Sequence, residues 1–389
     1  MKNNRLLIIS GSFPPSSGGP ASLLANLIPV LAKEGFKITV LTFGDDEKNK
    51  LPCRVERISR KKNKFFRILN LVSRAVILAF KNDQIYAFDT YWPGFSALIA
   101  SAVCRKRLIV RFTGDSAWET ALNSGLAEND DFFSFQKRFV NLKIHVLKIC
   151  RGAILKNCRV VVTDCDFNKK VLESFGVKKK RIEVARNSVD YLPIPSDFNK
   201  EFFKKQNNLK EKVILTVCGM IPGKGVEKIL EILPDLKKDF PEISFVGLGG
   251  GPELEKLAGK SRELKNRFGV DARFLGDLPR NEVIFWYLAA DAYILNTRHE
   301  GMAHTLLEAA YLGTPVATTG AGGNPEIIED GHTGLVFDFN DGEQIKSALK
   351  KILFDNDLAE KLAANAGEKL KSNFSWKKAV EANLRILKY

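Results

Sequence analysis

Histidine is scarce in this sequence. There are four among 389 residues, at positions 145, 299, 304 and 332, so a histidine-built metal centre is not expected. The six cysteines (53, 104, 150, 158, 165 and 218) contain no CxxC pair and read as reduced thiols rather than a disulfide framework. No apolar run reaches the roughly 18 residues that span a bilayer, because Arg74 interrupts Leu69 to Phe80 and Pro93 to Cys104 is too short. Behind Lys2 and Arg5 the apolar segment is only Leu6 to Ile9, well below a signal core of about 7 to 15 residues. The expected location is the cytoplasm, with the inner face of a membrane open as a peripheral site.

What is present is globular: 45% apolar residues, 10% aromatic and 27% charged exclude a disordered tail, a collagen-like rod and a coiled coil. A chain of 43.5 kDa exceeds what one core usually fills, and two domains are expected. Acidic residues are sparse in the first half: residues 1–211 hold 37 basic and 20 acidic residues, whereas residues 212–389 hold 23 and 25. Between Arg54 and Lys81 nine basic residues and one acid interleave with Phe65, Phe66, Ile68, Leu69, Leu71 and Val72; a second basic stretch runs from Lys137 to Arg159. Zinc-finger spacing, an aromatic ribonucleoprotein signature and a helix-turn-helix are all missing, so nucleic acid is not an expected partner. Two readings stay open: an interfacial surface for anionic lipid, and a core-facing helix with a solvated basic face.

Two alternating series of strands and helices follow one another. The first opens with RLLIIS (5–10), a Gly/Pro-rich loop, a helix over 22–35 and KITVLT (37–42), a βαβ unit whose strands are parallel. Further strands fit 84–88, 107–112, 160–163 and 181–184. A Pro- and Lys-containing stretch then breaks the pattern, and alternation restarts with strands expected at 213–218, 243–247, 272–275, 292–296 and 315–318. The fold class is α/β: two doubly wound, Rossmann-like parallel-sheet domains facing across a cleft, with ligands outside the carboxyl ends of the strands. Expected boundaries are 1–192, a hinge at 193–211, a second domain at 212–372, and a terminal helix at 373–389 returning to the first.

The richest stretch is NTRHEGMAHTLLEAAYLGTPVATTGAGGNPEIIEDGHTGLVF, residues 296–337. Glu300 and Glu308 have seven residues between them, the first in a strand-to-helix turn and the second on the helix. A carboxylate accepts two hydroxyl hydrogen bonds side by side, which suits a vicinal diol of a sugar or ribose. Gly301 admits a ligand to the backbone, and the amino end of the helix suits a diphosphate. On spacing alone, a glutamate cap plus a solvated helical glutamate explains the pair better.

The segment closely resembles the donor-site signature of glycosyltransferase family four, a retaining family of GT-B fold. The resemblance runs through FPPSSGGPASLLANLIPVLAKEGFKITVLT, RIEVARNSVD, VCGMIPGKGVEKIL, VGLGGGPELEKL, FLGDLP, GGNPEIIEDGHTGLVF and FSWKKAVEANLRIL, in family order. It implies that Glu300 faces the reacting side of the donor sugar, that the backbone of Gly301, Met302 and Ala303 contacts sugar hydroxyls, and that Glu308 holds the ribose. Gly18 and Gly19 would bring amides to the diphosphate or acceptor, and Lys224 would neutralise the leaving group; apart from the resemblance, Arg298, at a strand end that opens onto the same cleft, is the next candidate cation for the diphosphate.

The pattern has three departures. Met220 stands where the family usually has arginine, NGxD reads Asn187, Ser188, Val189, Asp190, and no histidine occurs between Met1 and Val110. In RFTGDSAWE, Asp115 is a candidate for orienting the acceptor or stabilising positive charge on the sugar, and equally a turn-stabilising aspartate. The implied function is transfer of a sugar from a nucleotide-diphosphate sugar to a glycan or lipid-linked acceptor in surface polysaccharide or glycolipid assembly, with no metal and no cofactor. The rivals are a non-catalytic scaffold of the same shape at the membrane and a nucleotide-sugar epimerase. Sugar, base and acceptor are not legible.

Overall fold

The computed structural model describes residues 4–16, 19–45, 50–61, 63–127, 131–189, 192 and 194–388. The chain divides into two compact units, Met1–Asn187 with Lys377–Tyr389, and Ser188–Trp376.

The first unit is built on strands β1 (Arg5–Ser10), β2 (Lys37–Phe43), β3 (Arg54–Ile58), β4 (Gln84–Phe88), β5 (Arg107–Phe112), β6 (Val160–Thr163) and β7 (Ile182–Val184). They form one parallel sheet in the order β3-β2-β1-β4-β5-β6-β7. Five of the six residues of β1 are buried, as a strand covered on both faces requires. The order reverses between β1 and β4, so the carboxyl ends of these two strands flank the switch point. Helix Lys64–Phe80 starts where Asn63 accepts the Phe65 amide at 3.0 Å. It packs on helix Trp92–Cys104, which packs in turn on helix Leu142–Asn157. The terminal helix Trp376–Lys388 closes this unit: Gln84 Nε2 donates to the Leu387 carbonyl at 3.0 Å, and Arg107 Nη2 to that of Ile386 at 2.9 Å.

The second unit carries β8 (Lys212–Val217), β9 (Ile243–Leu248), β10 (Asp271–Phe274), β11 (Ala292–Leu295), β12 (Val316–Thr319) and β13 (Leu335–Phe337), parallel in the order β10-β9-β8-β11-β12-β13. Here the reversal falls between β8 and β11. The stretch 193–211, read above as a hinge, contains helix Lys200–Gln206. That helix packs on helix Arg280–Ala289, and Lys204 pairs with Asp291 at 2.9 Å. Among the described residues no helix is long and apolar enough to cross a membrane.

Candidate functional site

The site of the second unit grows from the carboxyl ends of β8 and β11. Beyond β11, Asn296 and Thr297 are fully buried and serve as ties. Asn296 Nδ2 donates to the Gly225 carbonyl at 2.9 Å and to Asn340 Oδ1 at 2.7 Å, Thr319 Oγ1 donates to the Thr297 carbonyl at 2.6 Å, and the Arg298 amide donates to the Gly223 carbonyl at 2.9 Å. Gly225 has φ +49°, and a side chain there would collide with Asn296. These bonds lash the loop after β8 to the loop after β11. They bring Lys224 onto Glu300 as an ion pair, with Lys224 Nζ also 3.4 Å from Thr297 Oγ1. Gly322 (φ +60°) lies against the Glu300 carbonyl with no room for a Cβ, which fixes the turn from the other side.

Glu308 lies two turns further on, in helix His304–Tyr311. Arg280 Nη2 meets its Oε1 at 2.6 Å, and the Tyr287 hydroxyl donates to its Oε2 at 3.2 Å. Burial pushes its carboxyl above the usual range, opposed by Arg280 and Tyr287. Still, 12% of the side chain is exposed, so a ligand has access to it. Between the two glutamates, Gly301, Met302 and Ala303 form a buried turn, and no side chain caps the helix it leads into. Arg298 lays its guanidinium over Phe339, 5.1 Å from the ring centre.

Met220 is fully buried in the core of the second unit, its amide bonded to the Gly250 carbonyl at 2.8 Å. The side chain at this position packs inward, so the departure from arginine fills the core. Among the described residues no three His, Cys, Asp or Glu side chains converge at ligand geometry.

In the first unit, Gly19 opens helix Gly19–Lys33, and Gly18 lies outside the described residues. Asp115 is buried. Its Oδ1 accepts the Ala117 amide at 3.1 Å, and its Oδ2 receives Arg151 Nη1 at 2.5 Å and Gln136 Nε2 at 2.8 Å. Both oxygens face protein donors, the geometry of a helix cap and structural ion pair, which is the turn-stabilising reading.

Three residues at these strand ends carried no sequence signal. Arg280 and Tyr287 reach Glu308 across 28 and 21 residues of chain. Asp89, directly after β4, has φ 121° and accepts the Tyr91 amide at 2.8 Å. Burial raises its pKa to about 7; the Tyr91 and Gly94 amides hold it down, and Glu119 adds to the rise. The folded state therefore binds this proton more tightly than the unfolded chain. The group's contribution to stability falls as pH rises from about 4 towards 7.

Residues 17–191 match the family Glycosyltransferase Family 4, and residues 197–369 match Glycosyl transferases group 1. The chain is 27% identical over 227 residues to a glycogen synthase of Mycobacterium tuberculosis, covering 58% of this chain and 53% of that protein. It is 27% identical over 207 residues to a GDP-mannose-dependent alpha-(1-6)-phosphatidylinositol monomannoside mannosyltransferase of the same organism, covering 49% and 53%. The chain thus spans about half the length of these curated relatives. Among solved structures, Anabaena Alr3699/HepE in complex with UDP-glucose superposes with a TM-score of 0.78 at 17% identity, over 99% of each chain. At that identity the likeness establishes the shared GT-B fold.

Proposed function

The chain belongs to glycosyltransferase family four, and from that premise we propose that it is a retaining sugar transferase. Its donor is a nucleotide-diphosphate sugar, and its acceptor is a glycan or lipid-linked molecule in surface polysaccharide or glycolipid assembly. The observation that carries the reading is the Lys224–Glu300 ion pair between the loops after β8 and β11, with Glu308 on the helix that follows β11. Their order suits the parts of one donor: Glu308 for the ribose, Lys224 for the diphosphate, and Glu300 with the turn 301–303 for the sugar.

In the structure Lys224 and Glu300 neutralise each other. An arriving diphosphate competes for Lys224 and so releases Glu300 to the sugar, where its charge opposes the positive charge growing on the anomeric carbon as the diphosphate leaves. Lys224, Arg298 and the uncapped first turn of helix His304–Tyr311 neutralise the leaving group without a metal ion. Retention means that the acceptor oxygen arrives on the face the diphosphate departs from. Supporting this reading, the related mannosyltransferase is named for GDP-mannose and a phosphatidylinositol acceptor, and the Anabaena protein was captured with UDP-glucose.

We also propose that the first unit rests on an anionic membrane from the cytoplasmic side. Three adjoining helices expose apolar side chains: Phe65 (69% exposed), Phe66 and Leu69 on Lys64–Phe80, Val103 on Trp92–Cys104, and Leu142 (73%) with Ile149 on Leu142–Asn157. Basic residues surround them, which fits an interfacial surface.

A thermal-shift panel of nucleoside diphosphates and nucleotide sugars tests the donor reading. A ligand at 100 times its dissociation constant adds about 2.7 kcal/mol. A shift with one nucleotide and its sugars is expected; no shift with any of them contradicts the reading.

A further inference from the structure

Resting on the reading of Glu308 as the ribose ligand, we infer that Arg280 is a positioning residue of the donor site, orienting the Glu308 carboxylate so that its remaining lone pairs face the two ribose hydroxyls. A carboxylate offers about four acceptor positions, two on each oxygen. In the structure Oε1 is taken once, by Arg280 Nη2 at 2.6 Å, and Oε2 once, by the Tyr287 hydroxyl at 3.2 Å. One position therefore remains on each oxygen, the number and separation that a vicinal diol needs. Without Arg280 the carboxylate rotates more freely and loses its partner of opposite charge.

Arg280 also favours the ionised form of this carboxylate, against the effect of burial. Helix Arg280–Ala289 contributes Arg280 and Tyr287, and β11 contributes Tyr293, whose ring lies 5.5 Å from that of Tyr287. On the elements packed against the Glu308 helix the other charged or titratable residues include Glu326 on helix Asn324–Ile327 and Lys369 on helix Asn356–Asn373, the latter held by Glu329 at 2.7 Å, and His304 lies one turn back on the Glu308 helix itself. Arg280 and Tyr287 are the two that hold the Glu308 carboxyl down against the effect of burial, and only Arg280 is a cation. A protonated Glu308 has lost an acceptor position, so nucleotide affinity falls as pH drops through its pKa. Removing Arg280 moves that fall to higher pH.

The test is calorimetric titration of the full chain with UDP, GDP and ADP between about pH 5.5 and 8.5, for the unmodified protein, Arg280→Ala and Arg280→Lys. The expected result is binding of at least one diphosphate by the unmodified protein, weakened about tenfold in Arg280→Ala near neutral pH, with its acid limb moved upward. Arg280→Lys keeps the cation and should retain the original pH profile with a smaller loss, and it supplies a folded control. Discrimination between the diphosphate and its 2′-deoxy analogue should shrink in Arg280→Ala. If the unmodified protein binds and Arg280→Ala matches it at every pH, or binds more tightly, Arg280 is a bystander or a competitor of the ribose and the inference is overturned. If the unmodified protein binds no diphosphate, the ribose reading of Glu308 fails and the inference falls with it.

Discussion

At the scale of single residues, the two glutamates have unequal environments and should have unequal duties. Glu300 is paired with a lysine that a diphosphate would claim, whereas Glu308 is buried and held by an arginine and a tyrosine. Glu300→Gln should therefore depress turnover far more than donor affinity, and Glu308→Gln should mainly weaken nucleotide binding. Steady-state kinetics beside equilibrium binding separates the two, and near wild-type behaviour of both variants contradicts the assignment. Met220 provides a second prediction. Its side chain is fully buried, so Met220→Arg places a guanidinium in the core and should cost on the order of 3 kcal/mol of stability without improving nucleotide affinity. A denaturant midpoint unchanged by the substitution, with tighter diphosphate binding, would put the side chain at the phosphates instead. Glu300, Glu308 and Lys224 could be singled out as candidates in the sequence because each sits in a short local motif. Arg280 and the burial of Met220 could not, since an ion pair across 28 residues and the direction a loop side chain takes are set by tertiary packing.

At the scale of elements, strands read as apolar runs fall within one or two residues of the observed ones. β1, β4, β5 and β6 coincide with their expected limits because buried parallel strands are near-continuous apolar runs. β3 and β13 were missed. The first, RVERI, is a half-buried edge strand inside a basic stretch; the second, LVF, is three residues long. The basic stretch held two readings, and the structure contributes to both. Arg74 and Arg54 pair with Glu56 at 2.5 and 2.7 Å, as a solvated face would have it, yet Phe65, Phe66 and Leu69 point outward. Replacing Arg60, Lys61 and Lys64 with Gln should reduce cosedimentation with phosphatidylglycerol vesicles, by about 1 kcal/mol for each charge close to the surface. Phe65→Ser with Phe66→Ser should reduce it further and flatten its dependence on lipid rather than on salt. If the unmodified protein does not bind such vesicles at low salt, the exposed layer serves some other partner.

At the scale of the whole molecule, the paired α/β architecture was legible from alternation alone, because each βαβ unit announces itself by its own periodicity. The reaction was not: it came from motif order, and the bare spacing of Glu300 and Glu308 favoured a cap and a solvated side chain. The measurement that bears most directly on the claim of sugar transfer is release of nucleoside diphosphate from UDP-glucose, GDP-mannose and ADP-glucose by the full chain, with and without a glycolipid fraction as acceptor. Acceptor-dependent release from one donor is expected, with the sugar recovered on the acceptor in the donor's anomeric configuration and release abolished in Glu300→Gln. Interconversion of nucleotide sugars without an acceptor, or no consumption of a donor that the protein demonstrably binds, would contradict it.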